Sequence, residues 1–200
     1  MTPQARQHAT SRPEPIRRLA RAERREQILD AATRAFARAG FTATGLDDIA
    51  TEAGVSHVIL YRHFASKADL YRAVLDRACA RLADTVGIDD FHEGTIALLL
   101  RAAAADPDGF RLLFRHAARE PEFRDVTDGI RSAAIEIAQS NLAERIPPGP
   151  WRQWAARLVP TVTLEAVIAW LDTGQPDPDR AADHIRRATD AVIQAARPKN

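Results

Sequence analysis

The chain is poor in cysteine, with one such residue, Cys79, among 200. A single cysteine excludes a disulfide framework and a zinc site built from clustered cysteines. The sequence also lacks a glycine-rich phosphate loop, a nucleophile elbow and a His-Glu-x-x-His metal motif. His116 and Glu120 stand four residues apart, but the sequence supplies no third metal ligand. We therefore predict that the chain is not an enzyme and uses no cofactor and no metal.

Long apolar segments are also scarce. The run from Gly94 to Leu100 is far shorter than the ~20 apolar residues that a bilayer requires. The N-terminus opens with polar residues and shows no apolar segment of a signal peptide. Apolar residues make up 46% and charged residues 28%, which is close to a globular average. We expect a soluble, cytoplasmic protein with no membrane partner.

Lysine is rare, because 26 of the 28 cationic residues are arginines and only Lys67 and Lys199 are lysines. Residues 1–72 carry a net charge of +4, whereas residues 73–200 carry a net charge of −3. A basic front and an acidic back are compatible with an anionic polymer that contacts the front. An ordinary solvated surface has the same balance, so charge alone leaves both interpretations open.

Strand patterns are absent, and the apolar spacing predicts an all-α chain. Residues 1–20 contain three prolines and scattered arginines, so we predict a flexible basic arm. Helix start and stop signals include caps at Ser56 and Ser66 and the pairs Asp106-Pro107 and Asp177-Pro178. They predict nine helices, at about 22–40, 46–53, 57–64, 67–86, 88–105, 107–118, 121–145, 150–173 and 178–196.

The segment 40–70 is the most informative part of the sequence. Two short predicted helices are joined by Ala53-Gly54-Val55-Ser56, in which Gly54 permits the tight turn of a helix-turn-helix. The second helix suits a DNA major groove. Its outward positions are predicted to carry His57, Arg62 and His63, with Tyr61 nearby, and all four side chains can donate hydrogen bonds to phosphates or bases. Lys67 begins the next helix, where a cation opposes the helix dipole. A phosphate contact would explain that charge.

At these residues the sequence resembles the DNA-binding domain of the TetR family of transcriptional regulators. The resemblance covers Glu23 to Arg72 and rests on Gly40-Phe41, Thr44, Ile49-Ala50, Ala53-Gly54-Val55-Ser56, Leu60-Tyr61, His63-Phe64, Lys67 and Leu70. It implies a three-helix helix-turn-helix domain at 21–72 and a larger helical ligand-binding and dimerisation domain at 73–200. It also implies a homodimer that places the 57–63 helices in the major groove of a palindromic double-stranded operator. The expected DNA-binding residues are Thr44, Gly45, Ser56, His57, Val58, Tyr61, Arg62, His63 and Lys67.

Two positions depart from the family pattern. Gly45 replaces a second hydroxyl residue, which removes one expected phosphate contact, although Thr44 is predicted to cap the helix with Asp47 completing the box. Val58 replaces a small residue or proline and can meet a thymine methyl group or hold the backbone away from it. Asp47 and Asp48 add repulsion toward phosphate, so we expect moderate affinity.

Six arginines precede or begin the first helix, namely Arg12, Arg17, Arg18, Arg21, Arg24 and Arg25. A mobile arginine arm can enter a minor groove beside the recognised major groove. A disordered tail with ordinary cations is the alternative.

Apolar stripes in the C-terminal part predict an interface and a pocket. For a four-helix dimer interface we predict Val167, Trp170, Ile185, Ala188 and Val192, the alternative being a monomeric core. For an apolar effector pocket we predict Leu82, Phe110, Leu113, Phe114, His116, Ile130, Ala134, Ile137 and Thr161, the alternative being ordinary core packing.

The sequence thus predicts a ligand-responsive transcriptional regulator, a repressor that a small and largely apolar effector releases from its operator. The helix from Lys67 to Val86 is the expected lever between the two domains. One alternative is a non-specific or architectural helix-turn-helix protein without a sensing function. Another is an enzymatic or small-molecule-binding helical domain for which the front module is only a scaffold.

Overall fold

The computed structural model describes residues 20–87 and 94–198, and within these residues the chain consists of nine α-helices joined by short turns, without a β-strand. The all-α prediction and the predicted number of helices are confirmed. The helices are α1 (Arg21–Ala43), α2 (Leu46–Glu52), α3 (His57–His63), α4 (Lys67–Val86), α5 (Thr95–Ala105), α6 (Pro107–Arg111), α7 (Arg124–Asn141), α8 (Pro150–Asp172) and α9 (Pro178–Ala195). The predicted arm at 1–20 lies outside the described residues except for Ala20.

Helix starts follow the capping signals of the sequence. The side chains of Ser56, Ser66, Asp106 and Asp177 each accept a hydrogen bond from the backbone N–H three residues further on. These bonds satisfy donors that have no partner inside the helix. Gly40 has φ +76° and ψ 175°, which is not a helical conformation, and it interrupts α1 three residues before its end, close to the predicted end of the first helix at residue 40.

The predicted helix at 107–118 is divided. After α6 the chain forms a π-helical turn over Leu112–His116, which we call the π segment, followed by 3-10 turns at Ala117–Arg119 and Pro121–Phe123. The wider π geometry shifts the helical register. As a result Leu112 and Leu113 are buried beside α1 and α4, while Phe114 contacts two apolar clusters. The predicted helix at 121–145 is shorter than expected and ends at Asn141.

An aromatic cluster ties the N-terminal helices to the rest of the protein. The ring of Tyr71 on α4 packs edge-on against Phe36 on α1, with centroids 4.8 Å apart, and lies 4.6 Å from Phe123. Leu112 and Leu113 belong to the same buried cluster. Burial of Tyr71 raises the pKa of its hydroxyl group. The core of the N-terminal helices therefore extends beyond residue 72 into the C-terminal part.

Two further apolar clusters hold the C-terminal helices together. One joins α5 and α6 to α8 and α9, and the other joins the end of α7 to the same pair. Asp172 at the end of α8 accepts hydrogen bonds from Arg115 of the π segment and from Arg111. The Arg115 bond holds the pKa of Asp172 below its usual range. These bonds connect the π segment to α8.

Helix α8 is long and apolar enough to cross a membrane by length and composition. The search of the sequence for uninterrupted apolar runs missed α8, because the few charged residues of this helix are spread along its 23 residues. A core helix meets the same criteria, and α8 packs against α7 and α9 through residues such as Ala155, Thr163 and Val167.

Candidate nucleic-acid interface and cavity

The turn between α2 and α3 is held by three local features. Gly54 has φ +62°, a backbone conformation that favours glycine. The N–H of Val55 donates to the carbonyl oxygen of Ala50 at 3.0 Å. The side-chain amide of Gln27 on α1 donates to the Ala53 carbonyl at 2.8 Å, which fixes the turn to the first helix.

Helix α3 buries one face and exposes the other. Leu60 is fully buried in the cluster that also contains Ile28 and Ile49. Val58 is 62% exposed and Tyr61 is 51% exposed, and both are large apolar side chains that point away from the core. Arg62 is exposed beside them. Val58, Tyr61 and Arg62 form this outward face, and all three belong to the predicted DNA-binding set.

His57 is held in place at the start of α3. Its Nε2 lies 2.7 Å from a carboxylate oxygen of Asp47 on α2, and its ring packs edge-on against Tyr61. Asp47 is therefore engaged with His57, whereas the sequence predicted that it completes the capping box of α2 and repels phosphate; the carboxylate of that box is Asp48. The pair orients the imidazole across the gap between the two helices of the helix-turn-helix.

His63 at the end of α3 faces the first turns of α1. Burial and then the neighbouring charges of Arg21, Arg25 and Arg24 lower the pKa of its imidazole. The ring is consequently neutral near pH 7, so the positive charge at this edge belongs to the three arginines. The arginines 12, 17 and 18 of the predicted arm lie outside the described residues.

The structure contradicts the predicted role of Thr44 as the cap of α2. Thr44 is buried, and its hydroxyl group donates to the carbonyl oxygens of Gly40 and Ala35. The N-cap residue of α2 is Gly45, whose N–H donates to the carboxylate of Asp48 at 3.0 Å. Because the hydroxyl of Thr44 is committed to α1, its side chain is turned away from the outward face.

Lys67 has partners within the chain, and its predicted phosphate contact stays a prediction. The ammonium group of Lys67 donates to the carbonyl oxygens of Phe41 and Thr44 at 2.8 and 3.0 Å, and it lies 4.5 Å from the centre of the Phe41 ring. These contacts link the first residue of α4 to the chain segment where α1 ends and α2 begins. They explain a cation at this position without DNA.

We expect Lys67→Met to lower the free energy of unfolding by about 1–3 kcal/mol, because half-buried carbonyl oxygens lose their donor. Arg34→Met is the control, since Arg34 forms an exposed ion pair with Glu52 that contributes about 0–1 kcal/mol. Urea unfolding of both variants measures the difference. An Lys67→Met protein that unfolds like the wild type but binds all DNA more weakly would show that Lys67 acts by contacting DNA and not by holding these carbonyl oxygens.

A cavity of about 790 Å³ lies among α4, α5, the π segment, α7, α8 and α9. Five predicted pocket residues line it, namely Leu82, Phe114, Ile130, Ala134 and Ile137. The other four do not: Phe110 and Leu113 are buried in the packed clusters, Thr161 is exposed on α8, and His116 neighbours Gly40 of α1. Burial lowers the pKa of His116. Sequence periodicity could not separate core from cavity, because both are apolar.

The structure contradicts most of the predicted interface set. Val167, Trp170 and Ile185 are buried in a cluster within the chain, so they are not available to a second copy. Val192 is half-buried, and Ala188 is exposed. Trp151 and Trp154, at the start of α8, are instead 64% and 40% exposed. Among the described residues, no group of three His, Cys, Asp or Glu side chains comes together to hold a metal ion.

The chain is similar to known regulators over most of its length. The profile of the family "Bacterial regulatory proteins, tetR family" matches residues 28–74. The HTH-type transcriptional activator FasR of Mycolicibacterium smegmatis is 32% identical over 182 residues, which cover 83% of this chain and 81% of that protein. The HTH-type transcriptional repressor SCO4008 of Streptomyces coelicolor is 38% identical over 89 residues, or 44% of this chain and 46% of its own.

Solved structures share the fold. A TetR-like transcriptional regulator from Rhodococcus sp. RHA1 superposes with a TM-score of 0.73 at 23% identity, covering 88% of this chain and 97% of its own. NalD, the secondary repressor of the MexAB-OprM multidrug efflux pump in Pseudomonas aeruginosa, superposes with a TM-score of 0.63 at 23% identity, covering 86% and 98%.

The helical fold and the exposed face of α3 define a helix-turn-helix transcriptional regulator, a class of DNA-binding proteins that are not enzymes. The similarity to FasR over most of both chains identifies the family: this chain belongs to the TetR family.

Proposed function

We propose that this protein is a dimeric repressor that leaves a palindromic operator when a small, largely apolar effector binds in the cavity. The observation that carries the proposal is the position of the cavity. Its wall includes α4, the helix that also completes the core of the helix-turn-helix. An effector there contacts the same rigid element that positions α3. We also propose that the protein is cytoplasmic, because its operator DNA lies in the cytoplasm.

Two routes connect the cavity to the DNA-binding helices. Along α4, Tyr71 and Val74 pack into the N-terminal core, whereas Cys79 and Leu82 line the cavity one to two turns later. In the π segment, Phe114 lines the cavity while its neighbour Leu113 packs against the N-terminal core. A ligand that moves either wall changes the position of α3 relative to a second subunit.

The proposed dimer uses the outward faces of α8 and α9. Trp151 and Trp154 contact each other edge-on, with ring centres 5.9 Å apart, and project from the start of α8. Exposed aromatic side chains of this size favour an interface. A two-fold dimer would place its two α3 helices at half-sites about 34 Å apart, or a multiple of that spacing.

Repression is the proposed sign of regulation. SCO4008 and NalD are named repressors, whereas FasR is named an activator. Release by an effector follows when the ligand-bound dimer holds the two α3 helices out of register with the half-sites. Coupling of this kind is typically worth about 1–3 kcal/mol, or about 5–150-fold in operator affinity.

Footprinting of the purified protein on the DNA upstream of its own gene, over a series of salt concentrations, tests the proposal. We expect a protected palindrome that survives an excess of random DNA, and protection that an apolar ligand reverses. Uniform protection that disappears at modest salt would instead show contacts to phosphates alone. That result would favour the non-specific, architectural alternative.

We expect Phe114→Ala to reduce the response to the effector without abolishing effector binding. The substitution removes the side chain that touches the cavity and both apolar clusters, so the fall in operator affinity on ligand addition should shrink to less than about threefold. Ile137→Ala is the matched control, because Ile137 lines the cavity from α7. Fluorescence anisotropy with labelled operator measures both variants, and equal coupling in the two would refute the role of the π segment.

A further inference from the structure

The Thr95 hydroxyl differs from the other hydroxyl groups in the cavity wall in its hydrogen bonding. Thr95, the first residue of α5, is 4% exposed, and its Oγ1 is buried without a hydrogen-bond partner among the described residues. Thr163 and Thr189 also line the cavity, but each donates its proton to a carbonyl oxygen of its own helix. A buried polar atom without a partner costs free energy that a bound ligand can recover.

Charge in the cavity wall is confined to one end. The walls from α4, α5 and the π segment contain apolar side chains together with Thr95 and Cys79. The charged lining residues are Arg145, in the turn after α7, and Arg186 and Asp190 of α9. Arg145 pairs with Asp190 at 3.1 Å, and Arg186 pairs with Asp183 at 2.8 Å. An ionised ligand group in the interior would therefore lack a free counter-charge there.

The cavity is long as well as apolar. Lining residues follow α7 from Ile130 to Asn141, a helical length of about 17 Å. Burial, followed by the nearby charge of Asp76, raises the pKa of the Cys79 thiol to about 11, so this side chain is a neutral wall at physiological pH. These properties select against compact ions and against charged groups deep in the site.

Resting on the proposed function, we propose that the effector is an elongated, uncharged and mainly apolar molecule that bears one hydrogen-bonding group, and that this group pairs with the Thr95 hydroxyl. The apolar body of the ligand lies along α7. The Thr95 hydroxyl supplies selectivity, because it binds a partner that an unfunctionalised hydrocarbon lacks.

Three probes with one scaffold test this assignment: hexylbenzene, 4-hexylphenol and 4-hexylbenzoate. Each displaces the uncharged fluorescent dye 1-aminoanthracene from full-length wild type and from Thr95→Val and Thr95→Ser. We expect Thr95→Val to reduce the affinity for 4-hexylphenol about fivefold, since one neutral hydrogen bond is lost, and to change the affinity for hexylbenzene by less than about twofold. Thr95→Ser should retain the binding of 4-hexylphenol. We expect 4-hexylbenzoate at pH 8 to bind at least about tenfold more weakly than 4-hexylphenol.

Other results overturn the assignment. Equal binding of 4-hexylphenol to wild type and Thr95→Val removes Thr95 from ligand recognition, and tightest binding of 4-hexylbenzoate contradicts an uncharged effector. The Ala134→Trp substitution fills the cavity from α7. If the dye does not bind the wild type, or if it binds this variant equally well, the cavity is excluded as the binding site. Thermal unfolding checks that each variant is folded.

Operator release is measured separately in the same samples. If 4-hexylphenol binds as expected and leaves the protein–operator complex intact, the ligand class stands and the proposed effector response fails. If the operator complex dissociates with a charged ligand instead, the proposed function stands and the ligand class fails.

Discussion

Val58→Glu is expected to reduce operator affinity at least about a hundredfold while leaving the stability of the protein unchanged. Val58 is 62% exposed on the outward face of α3, so a larger polar side chain there meets solvent in the free protein. In a major groove the same carboxylate faces the phosphate backbone and displaces the apolar contact that a valine can make with a thymine methyl group. The loss combines charge repulsion with a missing base contact.

Val58→Ala is the matched control for this substitution. It removes two methyl groups without adding charge, and we expect at most about a tenfold loss of affinity, confined to sites with a thymine at the contacted position. Anisotropy titrations with specific and random DNA separate the two effects, and urea unfolding checks stability. A Val58→Glu protein that still binds its operator would show that α3 is not in the groove.

Phe36→Ala is expected to lower the free energy of unfolding by about 3–5 kcal/mol. Phe36 is fully buried on α1, and its ring contacts Tyr71 edge-on at 4.8 Å and Phe41 at 6.3 Å. Removing it leaves a cavity where α1 meets α4, which close packing cannot refill without moving both helices. Since domains are stable by only about 5–15 kcal/mol, the helix-turn-helix should unfold at a markedly lower temperature.

Tyr61→Ala tests whether burial of the ring is the cause of the destabilisation expected for Phe36→Ala. Tyr61 has a similar size but is 51% exposed on α3, so its truncation should change the free energy of unfolding by less than about 0.5 kcal/mol. Calorimetry or urea unfolding of the two variants gives the comparison. Similar destabilisation by both substitutions would contradict the assignment of Phe36 to the structural centre of the N-terminal helices.

The locations of the helices were predictable because their signals are local. A cap such as Ser56 acts through an N–H three residues away, and the turn at Gly54 requires only that residue's own backbone freedom. Of the outward positions predicted for α3, Arg62 is exposed. His57 and His63 are half-buried, because they lie against Asp47 of α2 and the first turns of α1. For the same reason the break in the predicted helix at 107–118 was missed, since a π turn depends on what packs around it.

The sequence by itself determined the class of fold and the helix-turn-helix, because periodicity, caps and turn residues act over a few positions. Only the tertiary structure decided what distant side chains do. Lys67 is held by carbonyl oxygens more than twenty residues away, and Asp47 pairs with His57 across two helices. The Thr95 hydroxyl lies in a cavity wall without a partner among the described residues. Apolar stripes predict burial in both a core and a cavity wall. Whether such a stripe meets another helix, a cavity or a second subunit is fixed only when the helices pack.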